Sequence, residues 1–210
     1  MKAYKLEIKA LIFYVSAICI FLFSTVLMAF KVADKNKLVD LLWDYGTIVT
    51  PITFLWLFFE KRLWRTRFMQ NFKTFLNIPP DLRGRWEGKI LSSRNADQSR
   101  KFVIEVEQTL TTLSVHSYSE YGNSTSILSE IGSDEKEEIF SLCFLWEGEI
   151  HKHAEGIPTI QRFNGYTILN YDKPLKTKEI SGTYFTDLLP EQTHGTIDLK
   201  WVSWKLEKHF

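Results

Sequence analysis

Leu82-Arg-Gly-Arg-Trp-Glu-Gly-Lys-Ile-Leu91 is the stretch on which the fold turns. Leu82, Gly84, Trp86, Gly88 and Ile90 fall on alternate positions, and a strand sends alternate side chains to opposite faces, so one face of this segment is interior. The same period of two returns in Phe102, Ile104 and Val106 and again in Phe140, Leu142, Phe144 and Trp146. Further candidate strands run over 112–120, 124–131, 165–171, 178–186 and 195–203. Turn-forming clusters separate them, among them Ser93-Arg-Asn-Ala-Asp97, Tyr121-Gly-Asn123, Gly132-Ser-Asp134 and Leu189-Pro-Glu191. Eight short strands with one apolar face suit an up-and-down β-barrel of the lipocalin-like kind, because closure removes both edges and turns that face into an interior. A two-sheet sandwich is the competing arrangement. No long helical period follows Leu76, which argues against an α/β enzyme fold.

Outward from this all-β region, toward the N-terminus, the pattern changes. Residues 10–30 carry no charge, and a helix of that length matches a hydrocarbon core of ~30 Å. Residues 41–59 carry one charge, Asp44, and the loop between the two runs is too short to be a folded unit. Together they read as a transmembrane hairpin over 1–59. The first run is longer than a signal-peptide core, ends in Leu27-Met28-Ala29-Phe30 and is followed by a second span, so cleavage is not expected. Lys2, Lys5 and Lys9 precede the first span, and Lys61, Arg62, Arg65 and Arg67 follow the second, which places both termini in the cytoplasm. Pro51 predicts a kink, Gly46 allows close helix approach, and Asp44 is either a headgroup-level residue or a contact between subunits. From Glu60 to Leu76 aromatic residues recur at helical spacing among basic ones, predicting an amphipathic connector over 60–80 that Asn77-Ile78-Pro79-Pro80 terminates. The all-β domain is then 81–210.

Charge narrows the function. Residues 81–210 hold 15 Lys+Arg against 20 Asp+Glu, net −5, whereas 1–80 hold 11 against 5, net +6. An acidic soluble domain is a poor binder of DNA or RNA, whose affinity rests on neutralised phosphates. Cys19 and Cys143 lie in a span and a strand, with neither disulfide nor metal-ligand spacing. There is no Gly-rich phosphate loop, no G-x-S-x-G and no H-E-x-x-H; Glu149, His151 and His153 share a strand face but read better as a solvated hairpin tip. Enzyme chemistry is not expected, and no cofactor. The later strands offer cations, hydroxyls and stacking faces in Arg162, Tyr166, Asn170, Thr183, Tyr184 and Trp201, the equipment for a small nucleotide or another amphiphilic ligand. Each aromatic among them also has a core-packing reading.

The hairpin, the basic aromatic connector, Gly84-Arg-Trp-Glu-Gly88 opening a strand-rich domain, and Ile180-Ser-Gly-Thr-Tyr184 and His194-Gly-Thr-Ile-Asp-Leu199 closing it resemble the two-transmembrane β-barrel effectors of CBASS anti-phage defence. That resemblance implies a bacterial inner-membrane protein working beside a cyclic-nucleotide synthase. Its barrel would bind a cyclic dinucleotide, it would oligomerise, and the spans would disrupt the membrane lipid, with Asp44, Gly46 and Pro51 at membrane or oligomer contacts. The alternative is a membrane-tethered lipocalin-like carrier of a lipid or apolar metabolite.

Overall fold

Alternation between large apolar and polar residues drives eight segments into a closed antiparallel ring in the computed structural model of the chain, which describes residues 2–3, 21, 50, 53–66, 79–134, 139–150, 161–172, 178–187 and 192–210. After a two-residue strand β1 (Lys2–Ala3) come β2 (Gly84–Ser92), β3 (Asn95–Gln108), β4 (Leu113–Ser119), β5 (Gly122–Asp134), β6 (Ile139–Ile150), β7 (Gln161–Asp172), β8 (Glu179–Thr186) and β9 (His194–Ser203). Each of β2 to β9 pairs with its sequence neighbours, and β9 pairs back onto β2. The expected eight-stranded up-and-down barrel is therefore present, and continuous pairing around the ring excludes a sandwich.

The interior is the alternating set. Trp86, Ile104, Val106, Phe140, Leu142, Phe144, Leu169, Ile180, Ile197 and Leu199 form one buried cluster. Gly84 begins β2 at φ +112°, a backbone conformation that side-chain-bearing residues rarely adopt. There β9 is bulged, Trp201 Nε1 donates to Arg83 O at 3.1 Å, and Trp86 Nε1 donates to Leu82 O at 2.9 Å. The Gly-x-Trp pair thus closes one end of the barrel with indole rings whose N–H groups are satisfied.

Two departures from simple alternation shape the wall. Between β4 and β5 only His116, Ser117 and Tyr118 are in register, with Thr125, Ser124 and Asn123. Beyond them a bulge between Ser126 and Leu128 pushes Ile127 and Leu128 outward, and serine hydroxyls replace the ladder: Val115 N–H donates to Ser126 Oγ at 2.9 Å and Ser129 Oγ to Leu113 O at 2.8 Å. Past this seam β1 pairs with Gly132 and Ser133. The second departure is the segment after β9. Glu105 accepts backbone N–H bonds from Glu207 at 2.7 Å and Lys208 at 3.1 Å, while Arg85 donates to Glu105 at 2.9 Å, to Glu87 at 2.7 Å and to His209 O at 2.8 Å. Outward-facing Arg85 and Glu105 are consequently buried beneath a C-terminal strap, 204–210.

The chain divides into two compact units, Met1–Tyr4 with Pro80–Gln108 and Thr112–Phe210 in one, and Lys5–Pro79 with Thr109–Thr111 in the other. In the second unit residues 53–61 are helical and the large side chains of Phe54, Leu55, Leu57 and Phe58 are exposed. The continuous helix expected from Glu60 is interrupted. Arg62 leaves the helical region at φ −134°, Leu63–Arg65 form a single 3₁₀ turn, and extended Thr66 ends it by donating its hydroxyl to Leu63 O at 2.8 Å. Glu60 holds Thr109 and Thr111 through its carboxylate at 3.2 and 2.6 Å. Among the described residues no helix is long and apolar enough to cross a membrane, and most of the two expected spans, with Asp44, Gly46 and Pro51, lies outside the described residues.

Candidate functional site

Side-chain size is distributed unevenly along the barrel. At the strap end the interior is packed with Trp86, Phe140, Tyr171 and Leu199. At the other end, where the β2–β3 hairpin turns at Ser93 and Arg94, inward positions are mostly small: Ser92, Ser117, Ser119, Ser124, Gly148, Gly165 and Gly195. Small hydroxyl-bearing residues leave volume and hydrogen-bonding capacity in the same place, which is the character of a polar ligand site.

The hydroxyls there are paired. Ser117 and Ser124 share a hydrogen bond of 2.5 Å across β4 and β5, Thr186 and Thr193 one of 2.7 Å, and Ser119 Oγ donates to Gly122 O at 3.0 Å. Aromatic faces border them. Trp146 lies over Gly165, where even a methyl group would strike the indole; its Nε1 donates to Thr167 Oγ1 at 2.9 Å and its ring meets Phe163 edge-on at 5.5 Å. Tyr184 occupies the space above Gly195, where an added Cβ would come within 2.8 Å of the ring.

A cation completes the set. Arg100 shares the inward parity of Phe102 and Ile104, sits opposite Ile90 on β2, and stacks its guanidinium 4.8 Å from the ring centroid of Tyr121 in the β4–β5 turn. Burial raises the Tyr184 phenol above its usual range, opposed by a hydrogen bond with Ser92 and by the positive charges of Arg100 and Arg94. Both arginines therefore act on the same mouth as the tyrosine hydroxyl. One end of the barrel brings together cations, hydroxyls and at least three aromatic faces.

The residues singled out from sequence do not form one cluster. Tyr184 belongs to this mouth. Trp201 also faces inward but pairs with Trp86 at the strap end, where Lys178 Nζ lies 3.7 Å from its ring; six residues of β9 separate Trp201 from the partner of Tyr184, about 20 Å of strand. Arg162, Tyr166, Asn170 and Thr183 point outward from β7 and β8. Arg162 pairs with Glu149 at 2.7 Å, and Asn170 accepts a hydrogen bond from Ser141 at 2.6 Å. Of the weak histidine cluster, Glu149 is thus engaged elsewhere, and His151 and His153 lie outside the described residues. Sequence reasoning missed Arg100, Ser117 and Ser124. Carrying the Phe102–Ile104–Val106 alternation back by one step would have found the arginine.

A closed up-and-down barrel with a filled base and a polar, aromatic mouth defines a small-ligand-binding β-barrel. The chain belongs to the Cap15 cyclic dinucleotide receptor family: the profile described as "Cap15, cyclic dinucleotide receptor domain" matches residues 77–201, more than half of the chain, all of β2 to β8 and most of β9. It is accordingly a CBASS effector, with a cyclic dinucleotide as its ligand class. No curated protein matches the chain.

Proposed function

We propose that the protein is a membrane-anchored anti-phage effector that binds a cyclic dinucleotide at the hairpin end of its barrel, self-associates, and disrupts the bacterial inner membrane in a cell that also carries the cyclic-nucleotide synthase. The observation that carries the binding site is Arg100 at an inward position of β3, stacked on Tyr121 beside small, hydroxyl-bearing wall positions. A cyclic dinucleotide presents two phosphodiesters and two bases. The guanidinium groups suit the former, Tyr121, Phe163 and Tyr184 supply stacking faces for the latter, and hydroxyls address base edges. The role is binding without turnover. A lipocalin-like carrier of an apolar metabolite would have no use for a cation at this mouth.

The membrane part of the proposal rests on the two apolar runs, 10–30 and 41–59, and has two structural supports. Large apolar side chains exposed around the helix 53–61 suit lipid and are costly in water. The pairing of Lys2–Ala3 with β5 fits an even number of crossings between the N-terminus and the barrel. With the Lys and Arg bias, both then lie in the cytoplasm. A lone hairpin is too small to enclose an aqueous path, so damage needs several copies, and the nucleotide must favour the assembled state by differential affinity.

Dye entry into cells tests the whole sequence of events. Full-length protein co-expressed with a cyclic-dinucleotide synthase should admit a membrane-impermeant dye, and neither partner alone should; Arg100→Ala should lower entry at equal expression. Dye entry without a synthase contradicts the proposal.

A further inference from the structure

The outer wall of β5 to β8 carries a row of apolar side chains running across the strands. Leu128, Leu145, Tyr166 and Phe185 are direct cross-strand partners in sequence, and Phe185 continues onto His194 at a ring separation of 6.4 Å. Their exposures are 67, 39, 41 and 53% for the first four, so the row is bare, and Ile127 beside it is 62% exposed. Contiguous apolar surface of this extent marks an interaction site. It is rimmed by acid. Outward positions of β5 to β8 hold Glu130, Glu147, Glu149 and Glu179, with Asp187 just past β8, against a single base among the described residues, Arg162.

The opposite side of the ring has the complementary character. β2 is four strands from β6 in either direction, and β3 stands in the same relation to β7. Over β2 and β3 lies the strap, which presents Phe210, 42% exposed, together with Lys205 and Lys208, with Lys101 Nζ 5.5 Å from the Phe210 ring; Trp204 at its start, 58% exposed, packs on Trp201 and Arg83. Of the acids of that face, Glu87, Glu105 and Glu207 converge on Arg85, while Asp97 and Glu107 on β3 are exposed. Backbone bonds to buried Glu105 hold the strap in place, so it is a fixed surface.

We infer that the β5–β8 face of one copy docks on the strap face of a second copy, apolar row against Trp204 and Phe210, with Glu130 and Glu147 meeting Lys205 and Lys208. The inference rests on the self-association proposed above and supplies its surface. Two copies joined through the same face would set carboxylates against carboxylates, and an anionic lipid surface would be repelled in the same way. Because the two faces lie on opposite sides of the barrel, the contact is heterologous and adds copies head to tail in an open row.

The test uses the full-length chain in detergent, with cyclic di-AMP, cyclic di-GMP and cyclic GMP–AMP each tried as inducer. Nucleotide binding is followed by calorimetry and assembly by sedimentation. Glu130→Lys with Glu147→Lys, or Lys205→Glu with Lys208→Glu, should leave nucleotide affinity unchanged and raise the protein concentration needed for assembly roughly tenfold. The quadruple variant, with both faces reversed, should assemble nearly as the parent does. A quadruple variant no better than either double one, or double variants that assemble like the parent, would assign the face to lipid or to another protein and overturn the inference. Binding without assembly in the parent would instead overturn self-association itself.

Discussion

Replacing Arg85 by methionine tests how the strap is held. Arg85 is 3% exposed and Glu105 1%, and the guanidinium bridges Glu105, Glu87 and the carbonyl of His209. An exposed ion pair contributes about 0–1 kcal/mol, but removing one partner of a buried pair leaves a charge in low dielectric and costs about 3–5 kcal/mol. Arg85→Met leaves the Glu105 carboxylate buried with only the N–H groups of Glu207 and Lys208 to stabilise it. The larger figure therefore applies, and for a barrel of this size it corresponds to a fall of roughly 10–20 °C in Tm. The double variant Arg85→Met/Glu105→Leu removes the stranded charge and should recover most of the loss, although the strap loses its anchor. Thermal unfolding followed by tryptophan fluorescence measures stability, and carboxypeptidase digestion reads strap release. A single variant within about 1 kcal/mol of the parent, or a double variant less stable than Arg85→Met, would refute the buried-pair reasoning.

Other expectations are more local. Gly195→Val should lower stability by about 1–3 kcal/mol, since its Cβ would meet the Leu91 carbonyl oxygen first and then the Tyr184 ring; unchanged unfolding would mean that β2 and the tyrosine do not close on this position. Although the ring is partly exposed, desolvation at the hydroxyl, a hydrogen bond with Cys143 and the nearby Glu130 charge push the Tyr166 phenol up to about 12. An unfolded tyrosine ionises near its ordinary value of 10, so between the two values the unfolded state has released a proton that the native state keeps, and stability falls as pH rises through this window. Spectrophotometric titration of the parent against Tyr166→Phe should show one late-ionising phenol missing in the variant, and loss of an ordinary one would contradict the assignment.

Strand alternation was legible wherever one face is interior. Trp86, Ile104, Leu142 and Phe144 are buried where the pattern placed them. What the sequence did not show was which face the chosen ligand groups take. Tyr166 and Thr183 look equipped for a nucleotide, but their neighbours Gly165, Thr167 and Tyr184 hold the inward parity, and an inward glycine whose space is filled by Trp146 carries no apolar signal of its own. Ile127 and Leu128 read as strand residues of opposite faces, whereas the bulge turns both outward. Arg100 was obscured by the polar run Ser93–Asp97, which resembles a long turn although β3 already begins at Asn95. Arg85 and Glu105 occupy outward positions that only the strap buries, and nothing in 204–210 announces that it folds back. The apolar runs before residue 60 remain the basis for the membrane hairpin.

Calorimetric titration of the full-length protein with cyclic dinucleotides, beside their linear dinucleotide counterparts and Arg100→Ala, addresses ligand sensing at the hairpin end most directly. At least one cyclic dinucleotide should bind, its linear counterpart should bind more weakly, and loss of the Arg100 charge-assisted contact, worth about 1.5–3 kcal/mol, should lower affinity by one to two decades without lowering Tm. Binding that is unchanged in Arg100→Ala, or no binding of any cyclic dinucleotide to the folded parent, would contradict the site.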